Sequence, residues 1–316
     1  MGIGATDFIK IDEVRKEIDT TYPNHGDDVD GELQVANHGY SHRLIGGAFE
    51  FLYRLWVHHQ CNVVIEPWRR GGLWPKRYEE GETPEILLAA DGVDEDELQQ
   101  LSRQAEQFIE SGLNTDRAVN AALLAAGWQQ IVEDQEHPGL HLDAFEDDLV
   151  TEMRELFDLL RSPEWPSGEV AYHSPNFGQH SHILEGEGDF IVDDLLVDIK
   201  TTEDGSFTPA YWRQLLTYYI LNDIQRVLAE QTDRGGDEKY PEIKKVGVYF
   251  ARYGELQTVT IDEVIDDRKE YERFRAWFVD RAIEENHDKR INYSDIRAVL
   301  TDPYDFKRQR TLFDDY

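Results

Sequence analysis

The chain of 316 residues has one cysteine, Cys61. That excludes a disulfide framework and any zinc or iron–sulfur site built on several cysteines. No apolar run approaches the roughly 20 residues of a membrane span. The N-terminus lacks a charged region followed by an apolar stretch, so no signal peptide is expected. There is no Walker loop, no dinucleotide fingerprint and no Ser-centred nucleophile elbow. Internal repeats and low-complexity tracts are also missing. Basic residues are scarce: 32 Lys and Arg stand against 65 Asp and Glu, for a net charge of −33. Such a charge repels itself in a compact fold unless salt screens it. The acidic residues are spread over the whole chain, which points to a solvated acidic surface. A soluble, cytoplasmic protein of a halophile is expected, without a membrane partner; an ordinary acidic protein is the plainer alternative. Hydrophobic residues make up 40% of the chain, enough for a core.

Periodicity gives the organisation. A short helix is expected at Asp12–Asp19. From Arg43 to His58, Ile45, Ala48, Phe49, Leu52, Leu55 and Trp56 line one side of a helix. Residues 62–66 read as a strand and 67–84 as a loop. Helices are expected at about 94–111, 115–134 and 143–161, and a loop at 166–185. Thr208-Pro209 is a helix start, a hydroxyl cap followed by Pro at the first helical position, for a helix to about Ala229. Lys245–Tyr253 and Glu255–Ile261 form a hairpin turning at Gly254. A long helix follows at about 262–286. This order is α/β in character.

The stretch 186–200 is the most informative. It reads as two strands joined by a tight turn at Asp193–Asp194, with Val192 opposite Leu195 and Asp189 opposite Asp198. Opposed residues share a face, and Lys200, two beyond Asp198, joins it. Phe190, Val192, Leu195, Val197 and Ile199 form the other, apolar face. Two close carboxylates repel unless something positive lies between them. With a lysine beside them they suit a divalent cation and a phosphate. A surface hairpin with ordinary charges is the bland alternative. On the next helix Gln214 and Tyr218, four apart, share a face with Tyr211 on the same stripe. They would brace Lys200 or hold a phosphate, or else Tyr218 is core and Gln214 its polar edge.

Gly-Glu-Gly-Asp189, Asp198-Ile-Lys200 and Gln214-Leu-Leu-Thr-Tyr218 together resemble the PD-(D/E)XK nuclease superfamily. The RecB-like branch, with its Q-x-x-x-Y helix, is the nearest likeness. Gly46-Gly47-Ala48-Phe49-Glu50 matches that branch's upstream helix, with Glu50 where the family has His or Glu. The small Gly46 and Gly47 would let another element approach closely; otherwise Glu50 is a solvated helix carboxylate. Asp198 replaces the commoner Glu, and the cluster-binding cysteines of some RecB-like exonucleases are missing. The likeness covers about 43–60 and 185–285.

The resemblance implies a restriction-endonuclease-like core, a central mixed sheet flanked by helices, with a helical insertion. The expected divisions are 1–66, with the first core helix; 67–165, the insertion; 166–290, the nuclease core; and 291–316, a tail. It implies Mg²⁺ (or Mn²⁺) on Asp189, Asp198 and the Ile199 carbonyl, with Glu50 a direct or water-mediated ligand. Lys200 would orient the attacking water and stabilise transition-state charge, and Gln214 and Tyr218 would support the site. No iron–sulfur cluster is expected. The partner would be nucleic acid, with DNA the expected polymer; protein partners are not indicated. Arg69, Arg70, Lys76 and Arg77, interleaved with Trp74, make a basic–aromatic island fit for stacking on bases; a packed loop is the alternative. His180 and His182 read as a loop pair rather than ligands. A metal-dependent nuclease is the leading expectation. A catalytically inactive nucleic-acid-binding or scaffolding protein on the same fold is the runner-up, and an unrelated soluble protein the third.

Overall fold

The computed structural model describes residues 3–65, 95–134, 145–177, 182–231 and 241–286, with 293, 296, 297 and 300. Arg69, Arg70, Trp74, Lys76, Arg77 and His180 lie outside these residues. The elements run α1 (Ala5–Phe8), α2 (Asp12–Thr21), α3 (His42–Gln60), β1 (Val63–Ile65), α4 (Glu95–Ser111), α5 (Asp116–Asp134), α6 (Asp147–Leu159), β2 (Val170–His173), β3 (Phe190–Val192), β4 (Leu195–Lys200), α7 (Pro209–Gln231), β5 (Lys245–Phe250), β6 (Glu255–Thr260), α8 (Ile261–Val264) and α9 (Arg268–Glu285). The protein is α/β. Among the described residues six strands form one mixed sheet, in the order β1-β2-β3-β4-β5-β6. β1 with β2 and β4 with β5 are parallel; the other neighbours are antiparallel. A parallel neighbour needs a crossover, and α7 provides it between β4 and β5.

Strand alternation divides the core in two. Phe190, Val192, Val197, Tyr249 and Ala251 face α3, α4, α5 and α6. Ile191, Leu196, Val246, Val248 and Phe250 face α1, α2, α7 and α9. Both faces of the hairpin are therefore covered, where the sequence predicts one oily face and one polar face. The polar positions cluster at one end of that second face, while Ile191 and Leu196 earlier on it are core. Trp56, Phe108 and Phe157 meet edge-on, with centroids 5.0–6.5 Å apart, and lock α3, α4 and α6 together. Gly47 allows α5 to lie close: a Cβ there would stand 3.2 Å from that of Ala126.

Beyond the short α1, two elements differ from expectation. Val170–His173, expected as loop, is strand β2 between β1 and β3. Its Val-Ala-Tyr-His sequence has no apolar alternation, and its place in the sheet decides its conformation. The single long helix at 262–286 is broken into α8 and α9. Asp267 ends the break by capping α9, its carboxylate accepting from the N–H groups of Lys269 at 2.8 Å and Glu270 at 3.2 Å; this is what an N-cap aspartate does. The second hairpin turns at Gly254, with φ +68. Among the described residues no helix is long and apolar enough to cross a membrane.

Candidate functional site

The hairpin register is the one its sequence predicts. Val192 pairs with Leu195, Ile191 with Leu196 and Phe190 with Val197. The next rung brings Asp189 and Asp198 together just past the end of β3. Asp193, at φ +51, makes the turn, and its carboxylate accepts from the N–H groups of Glu169 and Val170. The turn thereby also anchors β2.

Around this pair a polar network forms against α7. Asp189 Oδ2 accepts from the Ile199 N–H at 2.5 Å. Lys200 Nζ stands 2.6 Å from Asp198 Oδ2 and 4.8 Å from the centre of the Tyr211 ring. The Gln214 amide nitrogen donates to Asp198 Oδ1 and to Tyr218 Oη, both at 3.1 Å. Its oxygen accepts from Lys200 Nζ at 3.4 Å. The i, i+4 spacing of Gln214 and Tyr218 gives them this common direction. Tyr218, stacked on Phe177, is thus both core and network. Asp198 Oδ2 is buried, and its one close partner is the Lys200 ammonium.

Charge and burial set the titration of the site. Burial pulls the Lys200 ammonium down, but Asp198 and Asp189 beside it carry it above the ordinary lysine range, so it stays charged. Burial chiefly, with Gln214 pulling the other way and Asp198 adding, pushes the Tyr218 hydroxyl up to about 12; it stays neutral and accepts from Gln214. Asp189 is pushed up to about 7, first by burial and then by Asp198, against the pull of Lys200, the Ile199 N–H and Arg54. An unfolded aspartate titrates near 3.9, so folding takes up a proton between there and about 7. Stability therefore falls as the pH rises through this window, and the loss is complete above it. In chelator-containing buffer, wild type should lose roughly 1–2 kcal/mol more than Asp189→Asn between about pH 5.5 and 7.5. Denaturant melts at fixed KCl measure this; parallel pH profiles would mean that Asp189 titrates normally.

Glu50 lies on α3, whose Gly46 faces the residue after Lys200: a Cβ at Gly46 would stand 3.5 Å from Thr201 Oγ1. The close approach predicted for these glycines is present. Glu50 itself is ion-paired with Arg54, one helical turn on. Among the described residues no three His, Cys, Asp or Glu side chains are grouped as a metal site, so Asp189 and Asp198 meet without Glu50 as a third member.

Three further residues belong here to which the motifs assign no role. Tyr53 donates from Oη to the Asp189 carbonyl at 3.0 Å. Arg54 has a largely buried side chain, and burial lowers its guanidinium to about 10, with Glu187 and Asp189 opposing. Glu187 is held above the ordinary carboxylate range by partial desolvation, with Arg54 and Ser174 pulling it back. Helical period was the available signal for Arg54, four residues after Glu50, and strand period for Glu187, two before Asp189. His182 has φ +54, and its carbonyl accepts from the Asn286 side chain and from Tyr293. Compared with models of protein families, with curated proteins and with solved structures, the chain gives no match.

Proposed function

We propose that the chain is a divalent-metal-dependent nuclease that hydrolyses phosphodiester bonds in nucleic acid, DNA being the expected polymer, on a restriction-endonuclease-like core of the RecB-like kind. The observation that carries this reading is the pairing of two desolvated carboxylates, Asp189 and Asp198, against a charged lysine. The donor set fits the ion. Both ligand side chains offer hard oxygen, Asp198 Oδ2 is buried with only the Lys200 ammonium beside it, and the raised Asp189 marks a place where added positive charge is stabilising.

Asp189, Asp198 and the Ile199 carbonyl would hold Mg²⁺ or Mn²⁺. When bound, the ion supplies Lewis acidity toward a phosphate oxygen and a lowered pKa for water. The chain's own groups do the rest. Lys200 keeps its proton and directs its charge at the phosphate, where negative charge grows as water's oxygen bonds to phosphorus and the ester oxygen departs, the water's proton passing through solvent to that oxygen. Gln214 fixes Lys200 and Asp198 relative to each other, and Tyr218 fixes Gln214. The net charge of −33 argues against a broad basic DNA-binding face, so binding would lean on the ion, stacking and shape more than on phosphate attraction.

A second reading has one observation in its favour: Glu50 is neutralised by Arg54, as would suit a protein that binds nucleic acid on this fold without cutting it. Asp198→Asn separates the two. It keeps the size of the side chain but removes the charge that would hold the ion. On labelled DNA with Mg²⁺ at high KCl, cleavage should fall at least a hundredfold. Binding of uncut DNA by both proteins, with no cleavage by either, would favour the second reading.

A further inference from the structure

α7 brings Tyr211, Gln214 and Tyr218 to the hairpin along one stripe, three and four residues apart. Gln214 ties Tyr218 to Asp198. Tyr211 makes a different contact: Lys200 Nζ lies over its ring, 4.8 Å from the centre, the placement of a cation on an aromatic face. The ring is held there by the start of the helix, where Thr208 Oγ1 accepts from the Tyr211 N–H at 3.3 Å. An ammonium has three N–H groups and no lone pair. Three partners surround this one: Asp198 Oδ2 at 2.6 Å, Gln214 Oε1 at 3.4 Å and the Tyr211 ring.

The three partners are not equivalent. Asp198 is shared, since on the nuclease reading the same carboxylate holds the ion. A divalent charge beside it weakens its hold on the lysine. Gln214 is shared as well: its amide nitrogen serves Asp198 and Tyr218, and its oxygen is beyond the usual hydrogen-bond range. The ring face serves the lysine alone. It attracts a compact cation and offers no hard oxygen to Mg²⁺. We propose that Tyr211 is a positioning residue for Lys200: its ring face keeps the ammonium in the site when the ion occupies Asp198, so that the N–H released by Asp198 is free to point at the phosphate. The inference rests on the nuclease reading. Tyr211 acts through Lys200, with no contact to the reacting atoms, and it is the ring that acts, without its hydroxyl.

Two measurements on the full chain at high KCl test this. The first is nuclear magnetic resonance of protein labelled with ¹³C only at lysine, with chelator and then with Mg²⁺. Protons over an aromatic face resonate upfield, and the Lys200 signal is the one lost in Lys200→Met. In wild type its methylene beside the ammonium should be upfield of the other lysines under both conditions. Tyr211→Phe should keep that shift and Tyr211→Leu should lose it. The second is single-turnover cleavage of labelled DNA with saturating Mg²⁺. Tyr211→Leu should lower the rate about tenfold, with the half-saturating DNA concentration changed less than about twofold, and Tyr211→Phe should restore most of the rate. Tyr211→Met takes the place of the leucine variant if that one fails to fold. A Lys200 signal in the same position in wild type and Tyr211→Leu would overturn the ring contact. A raised half-saturating concentration at unchanged rate would show that the ring touches the nucleic acid instead. Both results leave the nuclease reading in place. No metal-dependent cleavage by wild type would remove that reading, and this role with it, even where the upfield shift is present.

Discussion

Lys200→Met should lower the rate of DNA cleavage by about a thousandfold while leaving Mn²⁺ binding and the fold intact. The magnitude is that of removing a preorganised positive group aimed at developing charge. The lysine side chain is 20% exposed, so its aliphatic stem is readily replaced by methionine. The carboxylates that would hold the ion are untouched. Losing the ammonium beside Asp198 should if anything tighten the ion, since a competing charge has gone. A single-turnover rate within a few-fold of wild type, at saturating metal, would show that Lys200 is only a structural partner of Asp198. Loss of metal binding in the same variant would show instead that the lysine organises the carboxylates.

The largest stability effect is expected at residues outside the motifs. Arg252 and Glu152 form an ion pair at 2.5 Å in which neither side chain is exposed. Arg252 also donates from Nε to the Thr201 carbonyl at 2.7 Å and from Nη1 to the Val35 carbonyl at 3.2 Å. Glu152 accepts from the His38 N–H at 3.0 Å. The N–H groups of Gln34 and Val35 donate to the Arg252 carbonyl. One buried pair thus ties α6, the N-terminal segment, the β5–β6 turn and the residue after Lys200. Arg252→Ala strands a buried carboxylate and should cost about 3–5 kcal/mol. Glu152→Leu combined with Arg252→Met should recover part of that loss, because no unpaired charge remains. The carbonyls of Val35 and Thr201 would still lack their donor, so recovery should be incomplete. Denaturant midpoints of wild type and both variants at high KCl measure this. A cost below about 1 kcal/mol for Arg252→Ala would mean that water reaches the pair.

Much of this architecture is legible in the sequence, for identifiable reasons. The hairpin register follows from the period of two and a turn at Asp193–Asp194, and it alone brings Asp189 beside Asp198. Helical spacing places Gln214 with Tyr218, and Thr208 with Pro209 begins α7 where the chain does; Thr208 Oγ1 accepts from the Tyr211 N–H at 3.3 Å. What was not legible depends on partners distant in the chain. β2 is too short and too mixed to signal itself, and exists because β1 and β3 flank it. Arg252 and Glu152 are separated by 100 positions, and nothing local marks either as buried. Glu50 carries the motif position, but its state depends on Arg54, a residue that the motif does not mention. A motif locates the acidic groups; the charge balance among them is a property of the packed whole.

Cleavage by wild type in the presence and absence of metal tests the central claim most directly. Labelled linear and circular DNA, single- and double-stranded, is incubated with the protein at high KCl with Mg²⁺, with Mn²⁺ or with a chelator. The account predicts cleavage of at least one substrate with either ion, and none with the chelator. Intact substrates throughout, or cleavage that persists in the chelator, would contradict it.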